Sequence, residues 1–143
     1  MILKSKILMT DIILIAIGGA IGSSLRFAVN NFVANLGLLN KISTKPFLVI
    51  PYNTLFINVT GSFIAGFLYF FFANNFDNII NNKLKYFFII GLLGGYTTFS
   101  SFSLDCLNLF IASNYLQALA YSLLSVICSL LAVFLGFYIA NII

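Results

Sequence analysis

Hydrophobic positions in this chain run in long uncharged blocks. Residues 46–76, 86–104 and 106–143 contain no charged side chain. A helix needs about 20 apolar residues to cross a ~30 Å hydrocarbon core, so the blocks predict spans over about 49–73, 86–112 and 116–142. The first span is less regular. Residues 12–25 supply only 14 uncharged positions, and a spanning helix over about 7–33 must carry Arg26 in its second half. Polar links are expected at 35–47 and 74–85, with a tight connection at Ser113 and Asn114. Pro51 falls where the second helix starts, a position proline tolerates. The pattern predicts an all-α membrane protein, residues 1–143 forming one integral membrane domain with four spans.

Composition supports the bilayer as main solvent. The 143 residues are 62% hydrophobic and 7% charged, with mean hydropathy +1.10, whereas a soluble domain carries roughly 25% charged residues. There is no histidine, and Asp11, Asp77 and Asp105 are the only acids. That inventory counts against hydrolases built on paired carboxylates or a Ser–His pair, and against an enzyme generally. The net charge of +4 comes from seven scattered basic residues, which suits lipid head groups and not nucleic acid. Cys106 and Cys128 sit in apolar runs without metal-ligand spacing and read as small buried hydrophobes. Lys4 and Lys6 before an apolar stretch resemble a signal peptide. The apolar pattern continues past any small-x-small site to Arg26, so a retained first span is expected.

Charge says little about orientation. Four spans place Lys4, Lys6, Lys83 and Lys85 on one side and Lys41 and Lys45 on the other, with Arg26 leaning to the second. So weak a bias under the positive-inside rule permits insertion both ways.

Candidate chemistry is concentrated in the third span. Gly18 with Gly22, Gly91 with Gly95, and Ser62 with Gly66 mark faces for close helix approach. In GLLGGYTTFSSFSLD (Gly91 to Asp105), seven of the ten residues from Gly94 to Ser103 are Gly, Ser or Thr. Adjacent glycines before Tyr96, Thr97 and Thr98 make poor α-helix, so a break is expected near mid-membrane. Irregular backbone survives there only where protein buries it or a cavity hydrates it, and its carbonyls can coordinate a cation such as Na⁺. Phe99 and Phe102 share a face just after the break, and their electron-poor ring edges could line a pore for a small anion. Asn58 in the second span offers an amide donor. Ser125 and Ser129 form a hydroxyl stripe in the fourth span, with Tyr121 one turn earlier. Arg26 is the only cation within a span.

These residues resemble the CrcB/Fluc fluoride channels over nearly the whole chain: GGAIGSSLRF, NTLFINVTGSFIAG, GLLGGYTTFSSFSLD and AYSLLSVICSLLAVFLG. The third-span stretch is the most specific. The resemblance implies an antiparallel, dual-topology homodimer in a bacterial inner membrane, with two fluoride pores and a structural Na⁺ at its centre. It also implies that carbonyls of Gly94 and Thr97 hold Na⁺. Asn58, Phe99 and Phe102 would then line the pore, Tyr121, Ser125 and Ser129 would form a polar track, and Arg26 would match the first-span arginine. Three positions depart from the pattern: Asn53 replaces a usual glycine, Asp105 a usual glutamate, and Tyr96 a usual Phe or Leu. A proton-coupled exporter of the small multidrug type is the competing expectation, but neither Asp11 nor Asp105 lies mid-span in the first helix. A non-transporting assembly subunit would leave Asn58 and the break unexplained.

Overall fold

The computed structural model describes residues 2–35 and 50–143, with side chains described from residue 8 onward. Residues 36–49, which include Lys41, Lys45 and nearly all of the expected first link, lie outside the described residues, as do the Lys4 and Lys6 side chains. Helices α1 (Ile2–Asn35), α2 (Tyr52–Asn75), α3 (Asn78–Leu84), a π-helical segment (Lys85–Leu93), α4 (Gly94–Tyr96), α5 (Phe99–Ile111) and α6 (Tyr115–Ile142) follow in order. They give four helical stretches long and apolar enough to cross a membrane: Leu8–Asn35, Tyr52–Asn75, Asn78–Ile111 and Tyr115–Ile142.

Residues 74–82, rich in asparagine and expected to be a solvated loop within the second link, are largely helix. Asp77 caps α3, its Oδ1 accepting the Ile80 N–H at 2.8 Å, which satisfies one of the donors that a helix start leaves orphaned. The third span therefore starts at Asn78, about two turns before its apolar run. Its next nine residues are π-helical, a wide and rare winding that nothing in KYFFIIGLL announces. The connection at Ser113 and Asn114 is tight, as expected. Asn114 N–H reaches Leu109 O at 2.9 Å and Ser113 N–H reaches Phe110 O at 3.0 Å, a Schellman closure in which Ser113 takes φ 60° where glycine is usual.

Small residues decide which helices pair. Gly18 and Gly22 on α1 lie against the Phe87 and Leu92 carbonyls, and Gly91 and Gly95 return the contact. A Cβ on Gly91 would stand 2.8 Å from Ile15 O, and one on Gly95 would stand 2.6 Å from Gly19 O. The two G-x-x-x-G faces thus meet each other. Gly66 on α2 abuts Val133 O, and Gly136 on α6 abuts Phe63 O. Gly136, unremarked in the sequence, supplies the other half of that contact. Without a hydrophobic drive between helices in lipid, such backbone approach is what holds them together.

The third span changes partners midway. Its π segment and α4 pack on α1, whereas α5 packs on α6. The switch occurs at Thr97 (φ −77°, ψ 158°) and Thr98 (φ −153°, ψ 117°), both extended. The break expected from the sequence is present, displaced from the glycine pair. Gly94 and Gly95 remain helical, and Gly95 serves close packing on α1, not unwinding.

Candidate functional site

Hydrogen bonds from neighbouring side chains build the break. Asn58 on α2 pairs with Thr98 as one strand residue pairs with another: Thr98 N–H donates to Oδ1 at 2.8 Å, and Nδ2 donates to Thr98 O at 3.1 Å. In a continuous α-helix that N–H would bond Gly94 O. Thr98, 7% exposed, also caps α5, its Oγ1 accepting Ser101 N–H at 3.1 Å. That N–H is the one an unbroken helix would return to Thr97 O. The two diversions remove the helical donors of the Gly94 and Thr97 carbonyls. Thr97 Oγ1 itself donates to Leu93 O at 2.9 Å.

A second brace lies two residues further along α2, at Thr60. The Tyr96 and Thr60 hydroxyls are 3.1 Å apart, and Thr60 donates onward to Phe56 O at 2.7 Å. Tyr96 must then be the donor to Thr60. Gly61 makes this docking possible, because a Cβ there would collide with Thr97 Cγ2 and stand 3.1 Å from the Tyr96 ring.

Beside the break lies a groove of about 390 Å³ between α2, the third span and α6. Asn58, Gly94, Thr97, Phe99, Phe102, Ser125 and Ser129 all line it. Seven of the nine residues singled out in the sequence are thereby gathered on one surface. No lining residue is charged; Ser62 and Thr98 add hydroxyl-bearing side chains, and Ala65, Ile89, Leu93, Val126 and Val133 apolar ones. Ser125 is 4% exposed and its Oγ finds no hydrogen-bond partner in the chain. A buried hydroxyl left unpaired costs about 1–3 kcal/mol, which a hydrogen-bond-accepting occupant of the groove would offset.

Tyr121 and Arg26 stand apart from the groove lining. Tyr121 is fully buried behind Phe102, and the rings run in series: Phe99 to Phe102 at 5.4 Å and Phe102 to Tyr121 at 5.4 Å. Its hydroxyl donates to Asp105 Oδ2 at 3.2 Å, so that proton is already engaged. Arg26 is half-buried on α1. The sequence reading missed the cap at Thr98, the Tyr96–Thr60 bond and the Tyr121–Asp105 bond. A threonine three residues past tandem glycines, just before the run that resumes the helix, was a legible capping signal. The two long-range bonds had none.

Phe99 is 78% exposed at the groove mouth, while Phe102 is partly covered. Both rings present edges that an aliphatic side chain lacks. Phe99→Ile and Phe102→Ile should each lower anion flux by about tenfold, taking ring-edge contacts at roughly 1 kcal/mol or somewhat more. The variants should unfold at the parent's temperature. Reconstituted efflux at matched protein density measures this, and parental flux in both would exclude the rings from the path.

Comparison with known proteins identifies the family. The family described as CrcB-like protein, Camphor Resistance (CrcB), matches residues 13–137. A Rhizobium meliloti (strain 1021) protein named Fluoride-specific ion channel FluC is 42% identical over 128 residues, covering 90% of this chain and 94% of the relative. The protein of that name from Francisella philomiragia is 43% identical over 129 residues, covering 89% and 92%. A Helicobacter pylori (strain J99) counterpart is 38% identical over 126 residues, covering 88% and 89%. With four apolar helices, a third span broken where α2 intercepts it, and sequence similarity from the first span to the last, this chain belongs to the CrcB-like family of bacterial multi-pass membrane proteins.

Proposed function

We propose that the chain is a passive, fluoride-selective channel subunit that lowers cytoplasmic fluoride. The relatives carry the name of fluoride-specific ion channels. The observation that carries the reading here is the groove: uncharged, edged by Phe99 and Phe102, and lined by both the Asn58 amide and the buried Ser125 hydroxyl. Fluoride is small and strongly hydrated, so a pore must replace its water with close donors. Hydroxyl and amide groups do this without the tight grip of a lysine. Hydrogen fluoride crosses bilayers as a neutral acid and ionises in a less acidic cytoplasm. The inside-negative potential, worth about 2.3 kcal/mol per charge per 100 mV, then drives the anion out with no coupled ion.

Purified protein in liposomes should release fluoride at least about a hundredfold faster than chloride, the discrimination expected when a site's donors fit one ion and not another. Proton and sodium gradients should be unnecessary. Equal chloride efflux, or dependence on either gradient, would favour an exporter instead.

The working unit in this reading is an antiparallel homodimer. Freed backbone carbonyls at membrane depth must not face lipid, yet Gly94 is exposed in the single chain. A second copy, related by a two-fold axis, would cover that surface and bring four carbonyls together, two from Gly94 and Thr97 of each subunit. Oxygen donors without a nearby acid suit a hard monovalent cation, and the chemistry of these carbonyls fits a structural Na⁺. When bound, the ion would neutralise converging dipoles and tie the subunits. Reporters fused to either terminus should be found on both sides of the membrane. One orientation for every copy would rule out the antiparallel pair.

A further inference from the structure

We infer that Asn58 is a positioning residue for the cation site, acting through Thr98 to keep the Gly94 carbonyl available. The inference rests on the reading of Gly94 and Thr97 as cation ligands and adds how that site is held open. Two acceptors compete for one donor. Thr98 N–H can close the helix onto Gly94 O, or it can bond Asn58 Oδ1, as it does at 2.8 Å. The amide's other arm holds Thr98 O at 3.1 Å, so the pairing is two-pronged and fixes the peptide's direction. Thr98 is buried, and without Asn58 its N–H would be an unpaired donor out of reach of water. The nearest relief is the helical bond to Gly94 O, which takes one of that oxygen's two lone pairs and competes with a cation for it. Gly94 offers no steric resistance, because even a Cβ there would meet only Ile89 O at 3.8 Å. Asn58 also lines the anion groove, so one side chain serves both ions.

Flux cannot separate the two roles, and the test reads Na⁺ dependence of stability instead. Full-length protein in detergent is melted across a NaCl series balanced with N-methylglucamine chloride, with gel filtration reporting assembly. The parent's melting temperature should rise with Na⁺. Asn58→Leu removes both prongs and should need about tenfold more Na⁺ for the same rise, the worth of roughly one hydrogen bond. Asn58→Asp keeps an acceptor for Thr98 N–H and adds a negative charge near the cation, so it should need no more Na⁺ than the parent. Tyr96→Phe deletes a hydrogen bond between the same two segments while leaving Thr98 N–H engaged, and it should also stay within about twofold. If Asn58→Leu fails to assemble, Asn58→Ala gives the same readout without added bulk. Parental Na⁺ dependence in the assembled Leu or Ala variant would overturn the inference and leave the cation site standing. So would a shift in Tyr96→Phe as large as that in Asn58→Leu. A parent with no Na⁺ response would remove the cation reading itself, and this inference with it.

Discussion

Asn58→Asp should nearly abolish fluoride flux while leaving a folded protein. The substitution changes almost no volume and preserves the acceptor that receives Thr98 N–H at 2.8 Å. What it adds is a negative charge on the groove lining, among residues that are otherwise uncharged. At about 4 Å from a passing anion and an effective dielectric near 20, the repulsion is roughly 4 kcal/mol. Each 1.4 kcal/mol is tenfold, so a loss on the order of a hundredfold or more is expected even after partial screening. Fluoride efflux from liposomes at known protein density, compared with Asn58→Ser, checks this. Near-parental flux in Asn58→Asp would place the anion path away from α2.

Gly66→Val should produce the largest loss of stability. The α2 and α6 backbones touch at two reciprocal points, with Gly66 against Val133 O and Gly136 against Phe63 O. A Cβ at Gly66 would stand 2.9 Å from Val133 C and 3.1 Å from Phe137 N, and helical backbone has no rotamer with which to yield. The helices must separate, and the groove, which takes Ser62 and Ala65 from one and Ser125 and Ser129 from the other, widens with them. Overpacking a well-filled contact costs about 1–3 kcal/mol, sometimes more. In lipid no hydrophobic term between helices compensates. A melting temperature lowered by many degrees, aggregation on gel filtration and absent flux are the expected signs. Gly19→Ala is the matched control, since its Cβ would meet only Gly91 O at 3.9 Å, and the helix packing should tolerate it. If Gly66→Val melts like the parent, the α2–α6 contact is looser than the structure shows.

Two scales of physics separate what one-dimensional reading captured from what it did not. Bilayer thickness is a length, and length is written in the chain: uncharged blocks located the second and fourth spans to within a few residues, and the third at its C-terminal end, although that span starts at Asn78 and not near 86. Poor helix formers at mid-span likewise announced a break near Gly94 to Thr98, because the preference is local. Residue type alone also picked out Asn58, Phe99, Phe102, Ser125 and Ser129, since few polar or clustered aromatic side chains have reason to lie in lipid. The boundaries that failed are those where a single side chain outweighs composition. Asp77 turned an asparagine-rich loop into helix by capping it, and the π winding of Lys85–Leu93 accompanies packing on α1, not any local signal.

The site itself was decided in three dimensions. The glycines draw attention in the sequence, yet the chain unwinds at Thr97 and Thr98. There Asn58, 40 residues away, takes the backbone donor, while Gly95 is needed as helix against Gly19. Helix pairing had the same character: three small-residue faces were visible, but Gly136 as the partner of α2 was not. Tyr121 reads as part of a hydroxyl stripe by spacing, and tertiary packing turns its proton to Asp105 instead. Spacing along one helix fixes which residues share a face. Which neighbour that face meets, and whose hydrogen bond it completes, depends on backbone contacts far apart in the chain, and these chose the groove.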